Sequence, residues 1–188
     1  MNIFASEKKL INKCLKGVPS AQKAFYDMFA RKMYGICLRF ARVEGEADDI
    51  MQEGFVKVFT KLDTFRHEGS LEGWVRRIIV NTAISYIKKN SDYKVEVDLN
   101  NIGETEIVED EAISNLSKEE LIKMIQLLPE RKRMVFNLYV YEGYCHKEIA
   151  EMLDITESTS KAQLSKAKQI LKEKLEKIRV KSYETVYE

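Results

Sequence analysis

The sequence predicts an all-α protein of two small helical domains joined by an acidic flexible linker. Three observations carry that expectation. Apolar residues recur at steps of three and four along most of the 188 residues, the spacing that places them on one helix face. Turn-forming residues are scarce, with only 2 Pro and 8 Gly. Charge is segregated: residues 1–91 carry 16 basic and 10 acidic side chains, 92–111 carry 1 and 8, and 112–188 carry 14 and 12. The net charge of +1 therefore conceals a strongly acidic stretch between two basic ones. These shifts place the domains at 1–91 and 117–188, with the linker at 92–116.

Each helix has its own justification. Residues 5–16 place Leu10, Ile11, Cys14 and Leu15 on one side, and Gly17 is positioned to end the helix before Pro19-Ser20 restarts the chain. Residues 20–42 repeat the pattern with Phe25, Met28, Phe29, Met33, Ile36 and Phe40, and Gly45 is the expected break. Residues 46–62 carry Met51, Phe55, Val58 and Leu62. The stretch DTFRHEGS reads as a loop, and Ser70 opens a helix through Trp74, Ile78 and Ile84 to about Asn90. Residues 91–116 lack an apolar stripe and contain NNIG, as a linker does.

The second domain begins at a capping box, Ser117-Lys-Glu-Glu120, in which the hydroxyl and the carboxylate satisfy each other's orphan backbone N–H groups. Leu121, Ile122, Met124, Ile125 and Leu128 follow. Pro129 forces a boundary and suits the first turn of a helix through Val135, Phe136 and Val140, which Gly143 ends.

HKEIAEML and ESTSKAQLSKAKQIL, separated by DIT, then have the layout of a helix-turn-helix. Ile149 and Leu153 face inward, Ile155 plugs the turn, and Leu164, Ala167 and Leu171 hold the second helix down. Thr156 is placed to act as its N-cap. That second helix has too few large apolar residues for an ordinary core helix. Glu157, Ser158, Lys161, Gln163, Ser165, Lys166 and Lys168 form a polar face of the kind that reads a major groove. Residues 157–181 carry 8 basic and 3 acidic side chains, which suits a polyanion.

Other chemistry is excluded more than suggested. Cys14, Cys37 and Cys145 are odd in number and lack metal or disulfide spacing, so they read as reduced thiols in a cytoplasmic protein. His67 and His146 stand far apart. The first residues lack a signal-peptide apolar region, and no apolar run approaches the ~20 residues of a membrane span. No catalytic residue, metal site or cofactor is expected, and no small-molecule substrate. A metal site built on Asp48, Asp49 and Glu53 lacks a histidine or a second acidic motif to complete it.

Two long segments resemble a known family. EADDIMQEGFVKVFTKLDTFRHEGSLEGWVRRIIVNTAISYIKK is similar to the promoter-melting domain of bacterial RNA polymerase sigma factors. LPERKRMVFNLYVYEGYCHKEIAEMLDITESTSKAQLSKAKQILKEKL is similar to their −35-reading domain. Two domains with only a linker between resemble the extracytoplasmic-function (ECF) class. The resemblance implies a non-enzymatic protein that binds core RNA polymerase, directs it to promoters and opens the −10 region.

By position, it implies core binding through Asp48, Asp49, Gln52, Glu53 and Phe55. It implies −10 contacts through Phe65, Arg66 and His67 in a base-capturing loop, with Asn81 facing the melted strand and Arg76, Arg77, Lys88 and Lys89 near phosphates. Reading of the −35 element falls to Glu157, Ser158, Ser160, Lys161, Gln163, Ser165 and Lys166. The acidic linker would thread the polymerase's basic channel. Promoter DNA and core polymerase are the implied partners, and an anti-sigma factor is a common one in this class.

The chain also departs from the family pattern. Asp154 stands where Gly is usual before the turn's apolar residue, Ser160 where an apolar β-branched residue is common, and Gln163 where Arg is common. Lys166 and Lys168 replace frequent arginines. Gln163 would exchange a guanine reader for an adenine reader. The competing reading is a stand-alone helix-turn-helix regulator, which the basic N-terminal half disfavours because it shows neither an apolar ligand cavity nor dimerisation heptads.

Overall fold

The computed structural model describes residues 3–90 and 117–184. All regular structure among the described residues is helical. The chain divides into two compact units, Met1–Asp92 and Tyr93–Glu188. The acidic linker at 92–116 lies outside the described residues, and so does its reading as a channel-threading segment.

In the first unit, α1 (Ile3–Leu15) ends at Gly17, whose φ of +72° is a conformation that side-chain-bearing residues rarely adopt. Pro19 occupies the first turn of α2 (Pro19–Phe40), where a missing N–H costs nothing. The α2 stripe buries Phe25, Phe29, Met33, Ile36 and Phe40. Met28, expected on that stripe, is 55% exposed, and Leu15 of α1 is 48% exposed. Both sit one step off the true phase of their helices.

Gly45 does not break the chain. The break falls at residues 41–43, and Gly45 lies in the first turn of α3 (Glu44–Thr60). An exposed helical glycine costs only ~1 kcal/mol against alanine, which neighbouring packing absorbs. Later in α3, Gly54 has a packing role: a Cβ there would stand 2.5 Å from Ile79 Cδ1. The absence of a side chain lets α3 and α4 (Leu71–Asn90) approach closely. A short 3₁₀ turn, Leu62–Thr64, leads into the loop before α4. The hydroxyl of Ser70 accepts from the Gly73 N–H at 3.0 Å and so caps α4. The stripe of α4 is Leu71, Val75, Ile79, Ala83 and Ile87, while Trp74 and Ile78 are half-buried.

The second unit opens with the expected capping box. The hydroxyl of Ser117 accepts from the Glu120 N–H at 3.2 Å, and the Glu120 carboxylate accepts from the Ser117 N–H at 2.8 Å. Helix α5 (Lys118–Gln126) then turns abruptly at Pro129 into α6 (Glu130–Phe136). Arg133 holds that corner. It is 1% exposed, and its Nη1 donates to the carbonyls of Gln126 and Leu128, both at 3.1 Å. A buried guanidinium is tolerated because it satisfies carbonyls that the end of α5 leaves over.

A wider, π-helical turn follows at Asn137–Tyr141, closed by the Glu142 N–H donating to the Asn137 carbonyl at 3.0 Å. It turns Val140 outward, to 47% exposure, although the sequence pattern had placed it in the core. Helices α7 (His146–Leu153) and α8 (Glu157–Glu184) complete the unit over a core of Met134, Val135, Leu138, Ile149, Leu153, Leu164 and Ala167. Each large apolar side chain buried there contributes about 1.5–3 kcal/mol.

Candidate nucleic-acid and docking interfaces

Asp48, Asp49, Gln52 and Glu53 are all exposed, forming a polar ridge along α3. Beside it runs a groove of about 360 Å³ between α2 and α3, lined by Tyr26, Tyr34, Asp48, Met51, Gln52, Phe55, Val56 and Phe59. Val56 is 58% exposed, so the groove presents apolar area next to acids. Phe55 is not a free docking side chain. It is 4% exposed and packs on Tyr26 (centroids 4.6 Å apart) and Phe59 (6.2 Å), so it belongs to the α2–α3 interface and shows the groove only an edge.

The acids are not equivalent. Glu53 pairs with Lys57 at 2.6 Å. Asp49 instead accepts from the Tyr86 hydroxyl on α4 at 2.7 Å, and Asp48 shares the wall of the groove with Tyr34 of α2. Both phenols are pushed up to about 12, Tyr86 chiefly by its bond to Asp49 and Tyr34 chiefly by burial and then by Asp48. They are neutral donors at any physiological pH.

The loop after α3 separates its three expected contacts. Arg66 and His67 are exposed, but Phe65 is only 8% exposed. Phe65 packs against Trp74 (5.6 Å) and against the edge of His67 (4.8 Å). Phe65 is thus a buried post beneath the loop, with little of its ring at the surface. His67 has φ of 60°, which is uncommon for a non-glycine residue and concentrates at functional loops. On α4, Arg77, Asn81 and Ser85 are exposed at steps of four and share one stripe, with Lys89 following and Arg76 half-buried. Ser85 lies on the same stripe and donates to the Asn81 carbonyl at 2.9 Å.

The turn between α7 and α8 is built as its residues suggest. Asp154 takes φ 57° and ψ 51°, the left-handed conformation that Asp tolerates, and its N–H and that of Ile155 both donate to the Ala150 carbonyl. Thr156 Oγ1 accepts from the Thr159 N–H at 3.1 Å and caps α8. Glu157, Ser158, Lys161 and Lys168 are exposed, and Ser165 and Lys166 are half-buried. Glu157 and Lys161 form an exposed pair at 2.8 Å, which holds the carboxyl below and the ammonium above their usual values. Gln169 and Lys172, not picked out by residue type, lie on the same exposed side.

Two expected −35 readers face inward. Ser160 is fully buried, with its Oγ 2.9 Å from His146 Nδ1 across the helix pair. Gln163 is 6% exposed, lines a small cavity with Met134, Val135, Leu153 and Ile155, and its Oε1 has no partner. The reason is phase. Leu164 and Ala167 fix the inward stripe, and positions 160 and 163 lie on it. His146, stacked on Tyr139 at 4.6 Å, is held below its usual value by burial and then by the charges of Lys161 and Lys168.

Burial pushes the thiols of Cys37, to about 12, and of Cys14 upward, so neither is a poised nucleophile. Among the described residues no His, Cys, Asp and Glu cluster could hold a metal, and no helix is long and apolar enough to cross a membrane.

The first unit thus presents an acidic ridge beside a groove, and the second a capped helix-turn-helix with a polar outer face. Comparison with known proteins gives the class. Residues 25–93 match Sigma-70 region 2, and residues 118–171 match Sigma-70 region 4. The chain is 26% identical over 184 residues to the ECF RNA polymerase sigma-E factor of Escherichia coli (strain K12), covering 91% of this chain and 95% of that protein. The corresponding protein of Haemophilus influenzae is 24% identical over 182 residues, with 91% and 96% covered. The fold is that of the sigma factor RpoE of Bartonella quintana, solved with the anti-sigma factor NepR, at a TM-score of 0.52 and 20% identity over 83% of this chain and 96% of that one. The chain belongs to the extracytoplasmic-function class of RNA polymerase sigma factors, and its function is promoter-directed initiation of transcription.

Proposed function

We propose that the two units divide the work of initiation. The exposed ridge Asp48, Asp49, Gln52 and Glu53, with the apolar groove beside it, docks on a basic partner surface of core polymerase. Arg66, His67, Arg77 and Asn81 engage the −10 strand as it opens, with Phe65 supporting the loop from beneath. Stacking a flipped base is worth ~1–3 kcal/mol, enough to offset unstacking in a loop that is already shaped. Glu157, Ser158, Lys161, Ser165, Lys166 and Lys168 face the −35 major groove. Domain boundaries at 1–91 and 117–188, a linker that lies in the polymerase channel, a cytoplasmic location and the absence of catalysis complete this reading. Because the Bartonella quintana relative was solved with an anti-sigma factor, an anti-sigma factor is a fitting further partner.

The observation that carries it is the helix-turn-helix. Its left-handed turn at Asp154 and cap at Thr156 fix α8 so that the inward stripe is small and the outward face polar and basic. The test is transcription in vitro. Core polymerase plus this protein is expected to start specific transcripts that core alone does not. No specific start with its native core across a library of its own genomic promoters would sink the proposal.

A further inference from the structure

We propose that Tyr34 and Tyr86 are positioning residues, which orient the Asp48 and Asp49 carboxylates for contact with core polymerase. The inference rests on the reading of the α3 ridge as the docking surface.

Helix α3 packs against both α2 and α4, which also pack against each other. Each neighbour sends one tyrosine to one of the two adjacent aspartates. Tyr86 donates to Asp49 Oδ2 at 2.7 Å, and Tyr34 lines the α2–α3 groove beside Asp48, whose carboxylate helps to raise its phenol. An exposed aspartate otherwise samples several rotamers, and that freedom is lost when a partner binds. A phenol that occupies one of a carboxylate's roughly four acceptor positions removes the freedom in advance and leaves the others open.

The choice of donor matters. Glu53 is bonded by an ammonium, Lys57 at 2.6 Å, which offsets part of its charge. A phenol is neutral, and leaves the full negative charge of Asp48 and Asp49 for a basic surface. It also stays a donor, because both tyrosines are pushed up to about 12 by their acids and by burial.

The bland alternative is that these contacts only stitch α3 to its neighbours. A double-mutant cycle on the full-length chain separates the two. Affinity for native core polymerase is measured for Tyr86→Phe, Asp49→Ala and the double variant, and for the corresponding Tyr34→Phe and Asp48→Ala set. Thermal unfolding, followed by Trp74 fluorescence, serves as the control. Tyr86→Phe is expected to weaken core binding about 3- to 10-fold, the usual weight of one hydrogen bond. In the Asp49→Ala background it adds less than about twofold, while the unfolding midpoint of Tyr86→Phe stays near that of the parent. Equal losses with and without the aspartate, together with a lowered midpoint, overturn positioning in favour of stitching. A loss with Asp49→Ala but none with Tyr86→Phe also overturns it, and leaves docking intact. Unchanged affinity in both aspartate variants removes the docking reading itself.

Discussion

Replacing Gln163 by Met tests whether this side chain belongs to the core or to the DNA. Gln163 is 6% exposed, and its Oε1 is buried without a partner. A buried, unsatisfied carbonyl oxygen costs about 1–3 kcal/mol, and a Met of similar length and flexibility removes it without opening a cavity. Against that gain stands whatever hydration the amide nitrogen retains near the surface, so a net stabilisation of about 1 kcal/mol is expected. Native-state hydrogen exchange on peptides from α6 and α8 reads this directly, because one to two kcal/mol changes the open population about 5- to 30-fold. Exchange should slow by about fivefold in Gln163→Met, while the −35 base preference in transcription assays stays as in the parent. Faster exchange, or an altered base preference with unchanged exchange, would refute the inward placement and restore the adenine-reader expectation.

Two further outcomes follow from the same placements. Phe65→Ala should lower stability by about 2–4 kcal/mol, from lost burial and two ring contacts, and shift the denaturant midpoint reported by the single tryptophan, Trp74; an unchanged midpoint with lost promoter opening would mean that Phe65 stacks on a base instead. The Glu120 and Glu148 carboxylates are held below the ordinary value of 4.5 by the backbone N–H groups of Ser117 and Cys145, so their contribution is present above that value and is lost as pH falls through the depressed ones. The protection of amides in the first turns of α5 and α7, taken relative to their intrinsic exchange rates, should therefore fall as pH drops below about 4.5, and Glu120→Gln should remove the α5 part of that dependence; pH-independent protection of α5 in the parent would contradict the capping assignment.

The helices were legible because their periodic apolar residues are also their cores: Phe25, Phe29, Met33, Ile36 and Phe40 are all buried. Boundaries were less so. Gly45 looked like a break, yet glycine in an exposed first turn costs little. The turn at Asp154 and the cap at Thr156 were readable because both depend on residues within a few positions of each other. The tyrosine bond to the acidic ridge was not, since Tyr86 reaches Asp49 across 37 positions and a different helix. Nor was Arg133, whose burial makes sense only once Pro129 has folded α5 back toward it.

Ser160 and Gln163 show what reading by residue type misses. On α8 polar residues are so abundant that polarity no longer marks the outward face. Phase does, and Leu164 and Ala167 set it. The buried positions 160, 163, 164 and 167 follow one another at steps of three and four and 171 continues them half-buried, whereas 157, 158, 161 and 168 are exposed. The inward positions therefore hold a hydroxyl and an amide where apolar side chains would serve stability better. One of them, Ser160, meets His146 and so joins the two helices of the motif at a specific distance, which an apolar contact does less strictly. The other is left unsatisfied, which makes Gln163 the position where a single substitution should gain stability without touching the surface offered to DNA.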